Sequence, residues 1–119
     1  MLRDGIYGLA YAAKGERMPT EGSALATLRQ GRILGCDPWG GVFTGSCRFD
    51  AARRLSTVQL RFDVPPEGKL ITGFSAGPAG ASLDIVGAFE GEAPRIAAVV
   101  EVAGAPVRVE LTYLGPLPV

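Results

Sequence analysis

The residues best suited to chemistry cluster in one short stretch, GRILGCDPWGGVFTG, from Gly31 to Gly45. It holds the chain's only Trp, Trp39, and Cys36, with Asp37 and Pro38 between them. Cys47, the other Cys, follows two residues later. A thiol beside a carboxylate could be a nucleophile, a metal ligand or half of a disulfide. Each needs a second group. Nucleophilic catalysis pairs the thiol or hydroxyl with a base, most often His, and His is absent from the chain. Two Cys without His cannot complete a four-ligand zinc site. The Asp and Glu residues leave carboxylate-pair chemistry formally open, but they are scattered and no spacing sets two on one buried face. No basic neighbour is placed to activate Cys36. A non-catalytic protein without a cofactor is expected.

A Cys36–Cys47 disulfide is also disfavoured. If DPWG is a turn between two strands, Cys36 lies opposite Gly41 and Cys47 is six residues further on. At about 3.3 Å per residue that is roughly 20 Å, against the roughly 7 Å that a disulfide permits between Cα atoms. Two free thiols are expected, with Cys47 packed as a buried hydrophobe. The stretch has two readings. Asp-Pro followed by a Gly pair is turn chemistry, which makes it a hairpin with Trp39 covering one end of the fold. Alternatively Trp39 anchors a ligand portal or a partner contact, since Trp is enriched where binding energy concentrates.

The elements that must position these residues read as strands. In VQLRFDV, Val58, Leu60, Phe62 and Val64 share one face while Gln59, Arg61 and Asp63 share the other. SLDIVGAFE sets Leu83, Ile85, Gly87 and Phe89 opposite Ser82, Asp84 and Glu90, and VRVELTY sets Val107, Val109, Leu111 and Tyr113 opposite Arg108, Glu110 and Thr112. GIYGLAYA, SALATLRQ, RILG, GVFTGSCRF, KLITGF and RIAAVVEV are less regular strand candidates; GVFTGSCRF places Phe43, Cys47 and Phe49 on one face. No window has the 3.6 period of a helix. Short Gly/Pro turns separate the segments, the longest being SAGPAGAS at Ser75 to Ser82. That stretch lacks the Lys-Ser/Thr end of a phosphate-binding loop. A single all-β domain over 1–119 follows. Because every link is short, the expected architecture is an antiparallel up-and-down, lipocalin-like barrel of about eight strands, which leaves no sheet edge.

Composition narrows the partners. The 119 residues carry twelve Lys/Arg and twelve Asp/Glu, a formal net charge of zero. Capture of nucleic acid or of an anionic membrane needs a basic surplus, so neither is expected. No apolar run reaches the length of a membrane span, and MLRDGIYG lacks the apolar core of a secretory signal. A cytoplasmic location is expected.

RDGIYGLAY at Arg3 to Tyr11 and EGSALATLRQGRILGCDPWGGVFTG at Glu21 to Gly45 resemble the GrlR-like family of small bacterial proteins, named for a negative regulator of type III secretion. The shared pattern is Asp4, Gly5 and Tyr7, then Gly22, then Gly31, Ile33, Gly35 and Asp37, then Phe43 and Gly45. The resemblance implies a lipocalin-like barrel, usually dimeric, that works by binding a regulatory protein. In the family's namesake an acidic run after the fourth strand is associated with gripping a transcriptional activator. Here that place reads FDAARR, Phe49 to Arg54, with Asp50 the one acid and Arg53 and Arg54 after it.

These residues give the expected contacts. Trp39, Asp37, Asp50, Arg53 and Arg54 are candidates for touching a partner or ligand, although Arg53 and Arg54 also suit a merely solvated loop. If Tyr7, Leu9 and Tyr11 face inward, Ile6, Gly8, Ala10 and Ala12 face out with no polar group among them. Ala97 and Val99 do the same in RIAAVVEV. Ile6, Ala10, Ala12, Ala97 and Val99 are therefore the expected face of a homodimer. Carriage of a small hydrophobic ligand is the other function considered; Phe43, Phe62, Phe89 and Tyr113, all inward, would fill much of the interior, and inward charge for a carboxylate ligand is scarce.

Overall fold

The computed structural model describes residues 1–13, 24–38, 40–66 and 77–118. Among them are eight strands: β1 (Gly5–Ala13), β2 (Ala24–Arg29), β3 (Arg32–Cys36), β4 (Val42–Asp50), β5 (Leu55–Val64), β6 (Ala81–Glu90), β7 (Arg95–Val102) and β8 (Ala105–Gly115). They form one closed antiparallel barrel in chain order, sealed where β1 pairs with β8. The expected up-and-down all-β barrel is the fold. KLITGF lies outside the described residues, as does the start of SAGPAGAS.

Register fixes which side chains meet inside. Tyr7 pairs with Ala26, Ala26 with Gly35, Gly35 with Phe43 and Phe43 with Phe62. The inward row continues to Leu83 on β6. One parity thus runs around the barrel, and its members form the core: Tyr7, Leu28, Phe43, Val58, Phe62, Leu83, Ile85, Phe89, Val100, Val107 and Val109 are all buried. Phe43 and Phe62 stack with ring centroids 4.3 Å apart. Tyr7 and Tyr113 meet edge to face at 5.5 Å.

Turn chemistry makes the closures. Gln30–Gly31 joins β2 to β3 with φ of 50° and 79°, and Ala103–Gly104 joins β7 to β8 with φ of 50° and 84°. Two consecutive positive φ values are the two-residue hairpin whose twist matches that of its strands. The β6–β7 seam is the least paired, with only Ile85↔Val102 and Val86↔Glu101 in register.

The N-terminal segment closes the end of the barrel that carries the β2–β3, β4–β5 and β6–β7 links. Leu2 is buried and its N–H donates to Ser56 Oγ at 3.1 Å. Tyr7 Oη donates to the Arg3 carbonyl at 2.6 Å. The Arg3 guanidinium lies 4.2 Å from the centre of the Tyr113 ring, and Asp4 Oδ2 accepts the Gln30 N–H at 3.1 Å.

Three details depart from the sequence reading. Cys36 pairs with Val42 rather than Gly41, because the β3–β4 loop takes five residues instead of four. Phe49 faces inward by parity but is exposed, since β4 carries it to the rim at its Asp50 end. Cys47 is half-buried rather than buried. Both thiols are free, as the spacing requires.

Candidate functional site

The expected contact residues that the structure describes, Asp37, Asp50, Arg53 and Arg54, do not converge. Asp37 opens the β3–β4 loop: its N–H donates to the Gly41 carbonyl at 2.9 Å, and its Oδ1 accepts the Gly41 N–H at 2.7 Å. Gly40, at φ 92°, completes the bend. The turn reading of this stretch therefore holds for Asp37. Trp39 lies outside the described residues. Asp50 makes the corresponding turn between β4 and β5, where its Oδ1 accepts the N–H groups of Ala52 at 3.1 Å and Arg53 at 3.2 Å. Arg53 and Arg54 follow, exposed, with Arg54 at φ 54°. In an up-and-down barrel successive links alternate between the two ends. The β3–β4 loop and the β4–β5 turn thus sit at opposite ends, and no single ligand of modest size touches both sets.

The expected dimer face is split. β8 lies between β7 and β1, and its outward residues interrupt the patch: Ala97 pairs with Glu110, which pairs with Ala10, and Val99 pairs with Arg108, which pairs with Ala12. Glu110 is also bonded to Arg95 at 3.3 Å. Ala12 has no accessible surface at all, so it offers nothing to a partner. Ala97 and Val99 are exposed, while Ile6 and Ala10 are half-buried.

Two features stand where the sequence reading did not place them. The first is outside the barrel. Leu25 on β2 pairs with Cys36 on β3, and Cys36 with Val42 on β4, all on the outer face. On the other side Leu25 pairs with Gly8. Leu114 lies over Gly8, where an added Cβ would sit 3.6 Å from Leu114 Cδ1. Leu34 stands one outward position along β3 from Cys36. Leu114, Leu34 and Leu25 are 56%, 59% and 50% exposed. A solvated outer face carries polar residues; this one carries an apolar row from Leu114 on β8 through Gly8, Leu25 and Cys36 to Val42 on β4, with Leu34 beside it between Thr27 and Thr44. Charged residues flank it. Arg29 and Arg32 pair with each other at the β2–β3 end, with Arg48 beyond them on β4. At the other end Asp63, which accepts a hydrogen bond from Ser82 Oγ, pairs with Val42, and Arg61 beside it pairs with Thr44.

The second is inside. A cavity of about 110 Å³ runs through the middle of the barrel, lined from all eight strands and by Leu2. Its wall includes Leu9, Tyr11, Ala26, Ile33, Val58, Leu60 and Val109 and, among the described residues, contains no Asp, Glu, Lys or Arg. The Tyr7 hydroxyl is already committed to Arg3. Burial and, secondarily, the negative charge of Asp37 push the Tyr11 phenol up to about 12, so it is neutral at physiological pH. Burial also raises the Cys47 thiol, a shift partly opposed by its hydrogen bond with Ser56. At about 24 cal/mol per Å³, leaving such a void empty costs on the order of 2–3 kcal/mol, a large share of a small domain's stability.

The inward glycines do not create this void. A Cβ on Gly35 would stand 2.5 Å from the Leu25 carbonyl oxygen, and one on Gly45 would collide with the Gln59 carbonyl oxygen. They mark close strand approach. The room comes from small walls such as Ala26, whose neighbour Leu25 is turned outward. Among the described residues no three metal-binding side chains come together, and no helix is long and apolar enough to cross a membrane. No family model matches the chain, and no curated protein is similar to it.

Proposed function

We propose that this is a non-catalytic binding protein whose working surface is the apolar stripe on the outside of β1 to β4, and that a second copy of the chain occupies it. The stripe itself carries the reading: three leucines half exposed or more, Leu114 and Leu25 in one row with Gly8, Cys36 and Val42 and Leu34 beside that row, on a face where a solitary barrel places polar groups. The charges at its ends suit self-pairing. A two-fold axis near β3 runs the two stripes antiparallel, setting Arg29 and Arg32 of one copy toward Asp63 of the other. Two-fold pairing is the commonest oligomer and presents the same patch on both sides. The expected dimer face lies on β1 and β7; the stripe instead runs from β8 through β1 to β2, β3 and β4, and of the expected residues only Ile6 and Ala10 stand beside it, flanking Gly8 on the outside of β1.

The resemblance over residues 3–45 supports the same class of function, a barrel that acts by binding protein. A regulatory protein partner would meet the same stripe in exchange for the second copy.

Light scattering coupled to size-exclusion chromatography tests the reading. The wild type is expected to run as a dimer at micromolar concentration, and Leu34→Glu as a folded monomer. A monomeric wild type, or a Leu34→Glu/Leu25→Glu protein that stays dimeric, overturns it.

A further inference from the structure

We propose that the interior cavity is a binding site for a small, neutral, apolar molecule no larger than about one six-membered ring. This inference stands apart from the outer stripe and shares no side chain with the pairing argued above.

Size sets the upper limit. The cavity measures about 110 Å³. An engineered apolar cavity of about 150 Å³ stays dry and takes up benzene or xenon. Drug-sized and lipid ligands occupy pockets of roughly 300–1,000 Å³, so a long acyl chain does not fit. A single ring fits if the Leu2 side chain at the closed end gives slightly. Leu2 belongs to a short segment rather than to a strand, so it is the wall with the fewest backbone bonds to break.

Charge sets the chemistry. Among the described residues no ionisable side chain except the two tyrosines, Tyr7 and Tyr11, lines the wall, and both phenols stay protonated because burial raises them. Tyr7 already donates to Arg3, and Ser56 already accepts from Leu2. A carboxylate or ammonium entering here would lose its hydration without gaining a counter-ion, which is prohibitive for a buried charge. Water gains too few partners to fill the space. A neutral apolar molecule exchanges no hydrogen bonds on entering and restores the dispersion contacts that the empty wall lacks.

The shape is also built into the sequence. Ala26 faces inward between Tyr7 and Gly35 in the register, so the wall is small where a Leu would close the cavity. Leu25, the large neighbour, points outward.

The test uses benzene, xenon and benzoate on the full chain. Benzene at about tenfold over its dissociation constant is expected to raise the melting temperature by about 5 °C, and xenon under pressure to shift the methyl resonances of Leu9, Val58 and Val109. Benzoate is expected to do neither. Ala26→Leu should raise the melting temperature of the unliganded protein and abolish the benzene shift; Ile33→Phe serves the same purpose should Ala26→Leu fail to fold. Leu34→Glu, on the outer face, should keep the full benzene shift whether or not it dissociates a dimer. No response to xenon and benzene in the wild type overturns the site, as does an undiminished benzene shift in a folded cavity-filling variant. A benzoate shift equal to that of benzene overturns its restriction to neutral ligands.

Discussion

On β5, β6 and β8 the large side chains point mostly inward and the charged ones outward; on β2 and β3 large apolar side chains stand on both faces, Leu28 and Ile33 inward and Leu25 and Leu34 outward, while Arg29 and Arg32 still face solvent. Phe62, Leu83, Ile85, Val107 and Val109 are buried, while Gln59, Arg61, Asp63 and Asp84 face solvent. On β2 the inward positions are Ala24, Ala26 and Leu28, and Leu25 is outside. On β3 Leu34 is outside and Gly35 inside. Side-chain parity is continuous from β1 through β5, so the difference on β2 and β3 comes from residue choice; a register shift lies where β1 meets β8, between Ile6 and Tyr7, and leaves Leu114 as the extra residue. It has two consequences at once. Small residues inside leave room for a cavity, and large apolar residues outside make a stripe. A strand that only had to close the barrel would have done neither.

The largest expected effect tests the regular half. Phe62 is 3% exposed and stacked on Phe43. Phe62→Ala should cost about 3–5 kcal/mol in chemical denaturation, as truncation of a buried aromatic does. Leu34→Ala, equally apolar but outside, should change the stability of the isolated monomer by less than about 0.5 kcal/mol. If both cost the same, Leu34 is core and the contrast between the regions fails.

Next in size is the packing between β4 and β5. A Cβ on Gly45 would stand 2.8 Å from Leu60 Cα and Cδ2 and would also strike the Gln59 carbonyl oxygen. Gly45→Ala must push the strands apart, at a cost of about 1–3 kcal/mol. Gly8→Ala, on the outer stripe, meets Leu114 no closer than 3.6 Å, an ordinary contact, and should be nearly neutral. Comparing the two unfolding midpoints sharpens the distinction between a glycine required by sterics and one that is merely small.

The regular half was the legible half. VQLRFDV, SLDIVGAFE and VRVELTY alternate so strictly that each inward face could be assigned without knowing its neighbours, and the structure buries those faces as expected. The Asp37 turn was legible because Asp-Pro with two glycines is a local signal. ALATLR was not assignable, since apolar residues occupy both parities, Ala24, Ala26 and Leu28 on one and Leu25 on the other, and only the pairing with Tyr7 and Leu9 decides between them. Leu2 gave no signal: a single Leu ahead of a strand has no period, and its burial depends on Ser56, 54 residues away. The split of the expected dimer face was missed for a related reason. The pattern within β1 or β7 carries no sign of Arg108 and Glu110, which belong to the strand between them.

A smaller effect distinguishes the two tyrosines of the cavity from an ordinary exposed phenol. Tyr11 is pushed up to about 12 and Tyr7 is raised, in both cases chiefly by burial. The folded state holds these protons to higher pH than the unfolded chain, whose phenols titrate near 10. Their contribution to stability is therefore fully present below pH 10 and is lost as pH rises from about 10 to 12. Water at the exposed edge of Tyr11 keeps the loss modest. Phenolate absorbance should show Tyr11 titrating last, and the unfolding midpoint should fall across the same interval. A Tyr11 that titrates near 10 would mean that its end of the cavity is wet.

The smallest effect is expected on the outside of the regular half, at Arg95 and Glu110. Their side chains approach to 3.3 Å across β7 and β8, but Arg95 is largely in solvent and Glu110 partly so. An exposed pair gains little Coulomb energy in water and must hold two long side chains still, so such pairs contribute about 0–1 kcal/mol. Arg95→Gln should shift the denaturation midpoint by no more than that, and the shift should shrink further in high salt, which screens exposed charges. Leu25→Gln offers the matching change on the stripe. It should leave monomer stability just as unaffected, yet weaken association, because Leu25 is the apolar link between Gly8 and Cys36. If Arg95→Gln dissociates the dimer and Leu25→Gln does not, the β7–β8 side is the interface after all, and the outward leucines of β2 and β3 need a different explanation.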